Sequence, residues 1–152
     1  MIEIRKGTLT DEDTVKQLID LSQVWVEENS TFGLIKNTRE DLKEPLFIAV
    51  DGNKIIGYTF GHYYTTERKT SYIEIGEKCF DIDEIFVLEQ YRNQGIGEKL
   101  FRAIESCVKN ECVYITLSTA TKDYEKILRF YTKMVGMTFH DAFLIKSCKD
   151  IK

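Results

Sequence analysis

The sequence predicts a mixed α/β fold, a sheet with helices on both faces, and three observations predict it. Short runs that alternate apolar and polar residues recur along the chain, and segments with apolar residues every three or four positions lie between them. The chain has 152 residues with one proline and nine glycines, and neither an internal repeat nor a low-complexity tract interrupts it. With 43% of residues hydrophobic, that length supports one domain, residues 1–152, with a substantial core.

Ile2 to Arg5 alternates as a first strand. Thr10-Asp-Glu-Asp13 has the form of a capping box and opens a helix running to about Glu28, with Val15, Leu18, Ile19 and Trp25 or Val26 on one face. A second cap, Thr38-Arg-Glu-Asp41, starts a short helix that ends before Pro45, because the residue preceding proline is pushed out of helical dihedrals. Leu46 to Val50 and Ile55 to Tyr64 read as a hairpin around Asp51-Gly52-Asn53. Thr65 to Gly76 is polar and reads as a loop over the site. Cys79 to Leu88 is the next strand. Ile96, Leu100, Ile104 and Val108 then recur every four residues as a helix. Val113, Ile115 and Leu117 alternate as a strand, Asp123 to Val135 is a helix ended by Gly136, and Met137 to Lys146 supplies one or two final strands. The order is β-α-α-β-β-β-α-β-α-β, with six to seven strands in the sheet.

Composition excludes several functions. A formal net charge of -4 and a pI near 5.3 argue against a nucleic-acid partner held by bulk electrostatics. No apolar run reaches the roughly 18 residues needed to span a bilayer, and Met1 to Lys6 alternates like a strand, so the expected location is cytoplasmic with no membrane partner. Cys79, Cys107, Cys112 and Cys148 form no CxxC pair, and neither His62 nor His140 lies at ligand spacing from them, so no metal is expected.

The chemistry concentrates after the strand Asp81-Ile-Asp-Glu-Ile-Phe-Val87, where Arg92-x-x-Gly95-x-Gly97 leads into a helix. A strand, a glycine turn and a helix present unpaired amides and a helix-end charge of about +0.5 to whatever lies above them, and the expected guest is an anion. Arg92 adds a fork-shaped cation suited to phosphate oxygens. A P-loop requires Lys and then Ser or Thr after the last glycine, whereas Glu98 and Lys99 follow Gly97. A dinucleotide fingerprint requires a small residue where Leu100 stands.

This pattern resembles the acyl-CoA signature of the GCN5-related N-acetyltransferase (GNAT) superfamily, and Phe130-Tyr131 shortly before Gly136 is similar to that family's second landmark. The resemblance implies a mixed, mostly antiparallel sheet and acetyl-CoA as co-substrate. It places the pyrophosphate on the turn Arg92, Asn93, Gln94, Gly95, Ile96 and Gly97. It also pairs the pantetheine arm with the backbone of Ile85, Phe86 and Val87, where that strand splays from Val113 to Ser118. Where family members often carry an asparagine this chain has Tyr124. Two helical turns separate Tyr124 from Tyr131, so both are expected to line the cofactor tunnel.

Acetyl transfer to an amine requires a base, because an amine with a reference pKa of about 10.4 arrives protonated. Asp83 and Glu84 are the candidates; alternation puts them on opposite faces, and Asp83 shares parity with Ile85 and Val87. A strand amide near Ile85 to Val87 meets the oxygen that gains charge. Tyr131 is the candidate acid, acting through a hydrogen bond to the departing sulfur. Direct attack in a ternary complex is expected over an acyl-cysteine route, since no cysteine has a motif-level histidine partner.

Glu74, Glu77, Asp81, Asp83, Glu84 and Glu89 cluster against Lys78 alone, and Phe60, Tyr63, Tyr64 and Tyr72 lie nearby. These favour a cationic acceptor, such as a polyamine, an aminoglycoside or a protein amino group. A homodimer is compatible with the sequence. The alternative is a non-catalytic acyl-CoA sensor or partner-binding module on the same scaffold.

Overall fold

The computed structural model describes residues 1–151. A five-stranded sheet runs in sequence order, β1 (Ile2–Gly7), β2 (Leu46–Asp51), β3 (Lys54–Thr65), β4 (Lys78–Val87) and β5 (Tyr114–Thr116). The first three pairings are antiparallel and β4 to β5 is parallel. Helix α1 (Glu12–Glu28) follows β1, α2 (Ile96–Val108) lies between β4 and β5, and α3 (Tyr124–Arg129) follows β5.

The start of α1 differs by one residue from its expected cap. Asp11 is the capping residue, its carboxylate accepting from the Asp13 amide at 3.1 Å, a bond typically worth about 1 kcal/mol. Val15, Leu18 and Leu21 of this helix are buried, and Trp25 stacks on Phe86 with ring centroids 5.1 Å apart. The capping box at Thr38 forms, the Thr38 amide donating to Asp41 Oδ2 at 2.7 Å, but it closes one 3₁₀ turn, Arg39–Asp41. On the other side of the sheet α2 buries Ile96, Leu100, Phe101, Ile104 and Val108, the predicted ladder with Phe101 added.

Two departures lie in the last quarter of the chain. The expected long helix changes geometry at Phe130, where a π-turn (Phe130–Met134) continues α3 and Val135 N donates to Phe130 O at 3.1 Å. Met137 to Lys146 forms no strand, so the described residues hold five strands where six to seven were expected. Phe143, Leu144 and Ile145 are 91%, 87% and 74% exposed. Alternation supplies a segment with a face, but pairing needs a long open edge, and β5 offers three residues.

The feature that shapes the site is a bulge in β4. Phe60 pairs with Glu84 and Gly61 with Ile82, which leaves Asp83 without a partner. Gly61 permits it: a Cβ there would run into the Asp81 carbonyl oxygen and the Phe80 ring.

Candidate active site

The sheet splits beside this bulge. β5 pairs with β4 only over Cys79 to Asp81, after which β4 continues to Val87 alone and residues 117–121 diverge from it. Leu88 N donates to Ile56 O at 2.9 Å, so alternation along an antiparallel strand turns the peptide groups of Ile85 and Val87 away from β3, toward the open edge. Phe86 lies between them, facing β3 with its ring under Trp25. The split opens a cleft of about 720 Å³. Ile85 and Val87 form one wall, Leu117 to Thr121 face them, and Gly95 to Gly97, Phe130 and Tyr131 close the α2 end. Across the other end runs the segment after α1. Phe32 N donates to Ala120 O at 2.9 Å and Lys122 N to Ser30 O at 2.8 Å, which ties this strap over the cleft.

The glycine turn has the expected form. Gly95 caps α2 with φ 79°, a left-handed conformation that disfavours a side chain, and Asn93 has φ 63°. The first amide bonded back into the helix is Lys99 N, to Gly95 O at 3.1 Å, so those of Ile96, Gly97 and Glu98 point out of its end. A Cβ on Gly97 would meet only Phe130, at 3.6 Å, an ordinary contact. The protein's own packing therefore does not require glycine here, and the open space above this turn fits a diphosphate.

Arg92 is placed differently from the expectation. Its Nη2 donates to both oxygens of Glu28, at 2.8 and 2.9 Å, and its Nε to Val87 O at 2.8 Å. It locks the end of α1 to the end of β4, and its charge is largely matched by Glu28. Lys126 and Arg129 of α3 also line the cleft and bring two cationic residues to it. Sequence reasoning passed over both, although they stand three residues apart, immediately before the Phe130-Tyr131 landmark.

Tyr131 lines the cleft, and burial pushes its phenol up to about 12. Tyr124 does not: it is 61% exposed and stands outside the cleft wall. The stripe of this helix that lines the cleft runs through Asp123, Lys126, Ile127 and Phe130, and Tyr124, the first residue of α3, lies beside that stripe and faces solvent.

The bulge also overturns the opposite-face argument for the two acids. Asp83 and Glu84 both lie on the α1 side of the sheet and both line the cleft. The extra residue breaks the alternation, so Asp83 no longer shares a face with Ile85 and Val87. Glu84 is enclosed: Tyr58 Oη donates to its Oε1 at 2.7 Å and Asn37 Nδ2 to both oxygens at 3.0 and 2.9 Å. Burial raises its carboxyl above the usual range, and these hydrogen bonds oppose the rise without cancelling it. Asp83 bonds Lys43 Nζ at 2.8 Å and His62 Nδ1 at 2.9 Å. Asp81 beside it accepts from the Thr116 hydroxyl at 2.7 Å, and burial raises its carboxyl too. Neither Asn37 nor Tyr58 carried a sequence signal, one being a lone loop amide and the other a core strand residue.

Other expectations are narrowed. Of the four aromatics only Tyr64 belongs with the acids, its hydroxyl 3.1 Å from Thr116 Oγ1, which in turn donates to Asp81. Phe60 is in the core, Tyr63 packs on Phe80, and Tyr72 meets Tyr114 and His140. Glu74 pairs with Lys69 in the loop, so the six acids do not form one rim. None of the four cysteines lines the cleft. Among the described residues His62, Asp81 and Asp83 are the group whose ligand-type atoms come within 4.8 Å of one another, and the Lys43 ammonium already balances Asp83. Among them, too, no helix is long and apolar enough to cross a membrane.

Comparison with known proteins agrees with this geometry. The model of the acetyltransferase (GNAT) family matches residues 12–137. A tetramutant of the BH1408 protein from Bacillus halodurans superposes with a TM-score of 0.63 at 25% identity, covering 95% of this chain and 99% of that one. The aminoglycoside acetyltransferase meta-AAC0020 from an uncultured soil metagenomic sample, in complex with sisomicin, gives 0.61 at 23%, covering 95% and 97%. AAC(6')-Iy in complex with a bisubstrate analogue joining coenzyme A to acetylneamine gives 0.64 at 18%, covering 97% and 99%. No curated protein matches. With the family model spanning most of its length and the split sheet and glycine turn in place, the chain belongs to the acetyltransferase (GNAT) family, the acetyl-CoA-dependent N-acetyltransferases.

Proposed function

We propose that the whole chain acts as one acyltransferase domain that acetylates a small cationic primary amine, such as a polyamine or an aminoglycoside, by direct attack in a ternary complex. The observation that carries this reading is the bulge at Asp83, which brings two neighbouring acids to the same side of the split strand, at the cleft. One can then attract the ammonium while the other takes its proton. Similar structures that act on aminoglycosides support a polycationic acceptor.

Acetyl-CoA supplies the activated acyl group as a thioester. The amides of Ile96, Gly97 and Glu98 hold its diphosphate, with Lys126 and Arg129 adding charge, and the open edge at Ile85 and Val87 pairs with its pantetheine arm. The amides on that edge also meet the thioester oxygen as it gains charge, and being fixed by the strand they cost no reorganisation. Glu84 is the base. Burial moves its carboxyl toward neutrality, where an acceptor of protons works best, while Asp83 is engaged by Lys43 and His62. Tyr131 donates a hydrogen bond to the departing sulfur. A phenol near 12 lies about three units above a free thiol, so it stays protonated and acts through that bond.

A thiol-release assay against an amine panel, run beside calorimetry with acetyl-CoA, tests this reading. Turnover is expected with polycationic amines, with a KM that rises with ionic strength. Tight acetyl-CoA binding without turnover on any amine overturns it in favour of a sensor.

A further inference from the structure

The cleft's acid pair already holds an amine that belongs to the protein. Lys43 Nζ lies 2.8 Å from Asp83 Oδ2, and Asp83 lines the cleft next to Glu84. We infer that Lys43 is a specificity-determining residue: its ammonium fills the place on Asp83 that a second cationic group of the acceptor must take. The inference rests on the proposed function, because it concerns the acceptor end of that cleft.

Asp83 is a well-defined seat for a cation. Its side chain is 19% exposed, His62 Nδ1 fixes it at 2.9 and 3.1 Å, and the half-buried Asp81 adds negative charge beside it. Lys43 is held far less firmly. Its side chain is 44% exposed and rises from the irregular stretch between the 3₁₀ turn and β2, and no other hydrogen bond anchors its ammonium among the described residues. An ion pair of that kind contributes at most about 1 kcal/mol, and the stem can swing into solvent. An incoming ammonium offers Asp83 the same charge and the same donors, so the exchange is close to balanced. The resident cation therefore sets a threshold. An acceptor with one amine gains nothing at Asp83, while one with two or more can spare an ammonium to displace Lys43 and leave another amine to react near Glu84.

Calorimetric titration of spermine and of a monoamine, ethylamine, into the wild-type protein and Lys43→Met tests this, with coenzyme A present and no turnover needed. Spermine should bind Lys43→Met about fivefold more tightly, the size expected for losing one exposed competing ion pair, with a smaller gain for ethylamine, whose single ammonium cannot engage Asp83 and Glu84 together. Lys43→Arg should behave as wild type. In an Asp83→Asn background the Lys43→Met gain should vanish, which a merely structural role for Lys43 does not predict. Equal or weaker spermine binding by Lys43→Met, or a gain that survives Asp83→Asn, overturns the inference. The outcome is independent of catalysis: a protein that turns over no amine loses the proposed function, and the titration still decides the place of Lys43.

Discussion

Tyr58 donates a hydrogen bond of 2.7 Å to Glu84, and this pair sits where the buried core meets the cleft. Burial drives the Glu84 carboxyl upward, whereas the hydroxyl of Tyr58 and the amide of Asn37 favour its charged form and pull it back. Removing the hydroxyl in Tyr58→Phe deletes a stabiliser of the carboxylate, so the pKa must rise further. A hydrogen bond to a charged group contributes about 1.5 to 3 kcal/mol, or roughly one to two pH units. If Glu84 is the base, kcat/KM falls as pH falls through its pKa. The acid limb of the pH profile should then move to higher pH by about one unit in Tyr58→Phe. Glu84→Gln should lose at least about 10²-fold at neutral pH. A limb that stays in place in Tyr58→Phe removes Glu84 from the role.

Tyr131→Phe isolates the leaving-group step. The phenol lines the cleft and has no hydrogen-bond partner among the described residues, so its hydroxyl is free for the sulfur. Its deletion should lower kcat about 10²-fold and leave acetyl-CoA affinity within twofold, because the ring's packing beside Phe130 survives. Equal losses in cofactor binding and turnover would make Tyr131 a binding residue instead.

The same tyrosine has a consequence for stability. Its folded-state pKa of about 12 lies above the reference value of 10.0, so the native protein holds that proton more tightly than the unfolded chain. The resulting stability is fully present below pH 10 and is lost as pH rises through about 12, in total about 3 kcal/mol. Buried Tyr58, raised in the same direction chiefly by desolvation and then by the Glu84 charge, adds to the alkaline decline. Denaturant titrations from pH 9 to pH 12 should show a shallower loss in Tyr131→Phe than in the wild type. Parallel curves would place the phenol in contact with solvent.

The element order was legible because periodicity survives in the parts that build the core: the ladder Ile96, Leu100, Ile104 and Val108, and the hairpin around Gly52. What was not legible depends on departures from regular geometry. The bulge at Asp83 adds one residue without any mark in the local alternation, and it reverses the relation of Asp83 to Ile85. The π-turn that begins at Phe130 likewise leaves no mark in the residue spacing. The glycine turn was readable, because glycines at a strand-to-helix junction announce it. The partners of its arginine were not, since Glu28 reaches Arg92 only once α1 has packed across the sheet.

Gly97 separates what the fold needs from what the ligand needs. In the free protein a methyl group there meets Phe130 at 3.6 Å with no overlap, and replacing glycine by alanine within a helix favours the helix by up to about 1 kcal/mol. Gly97→Ala should therefore keep or raise Tm. A diphosphate drawn down onto the amides of Ile96 to Glu98 would contact that methyl, so acetyl-CoA affinity should fall about tenfold or more. Gly95→Ala offers the contrast: at φ 79° the added Cβ is strained with or without ligand, and Tm should drop. Thermal melts and calorimetry on the two variants read these opposite patterns directly. If Gly97→Ala binds acetyl-CoA as tightly as the wild type, the diphosphate does not sit on this turn, and the assignment of the cofactor end of the cleft fails with it.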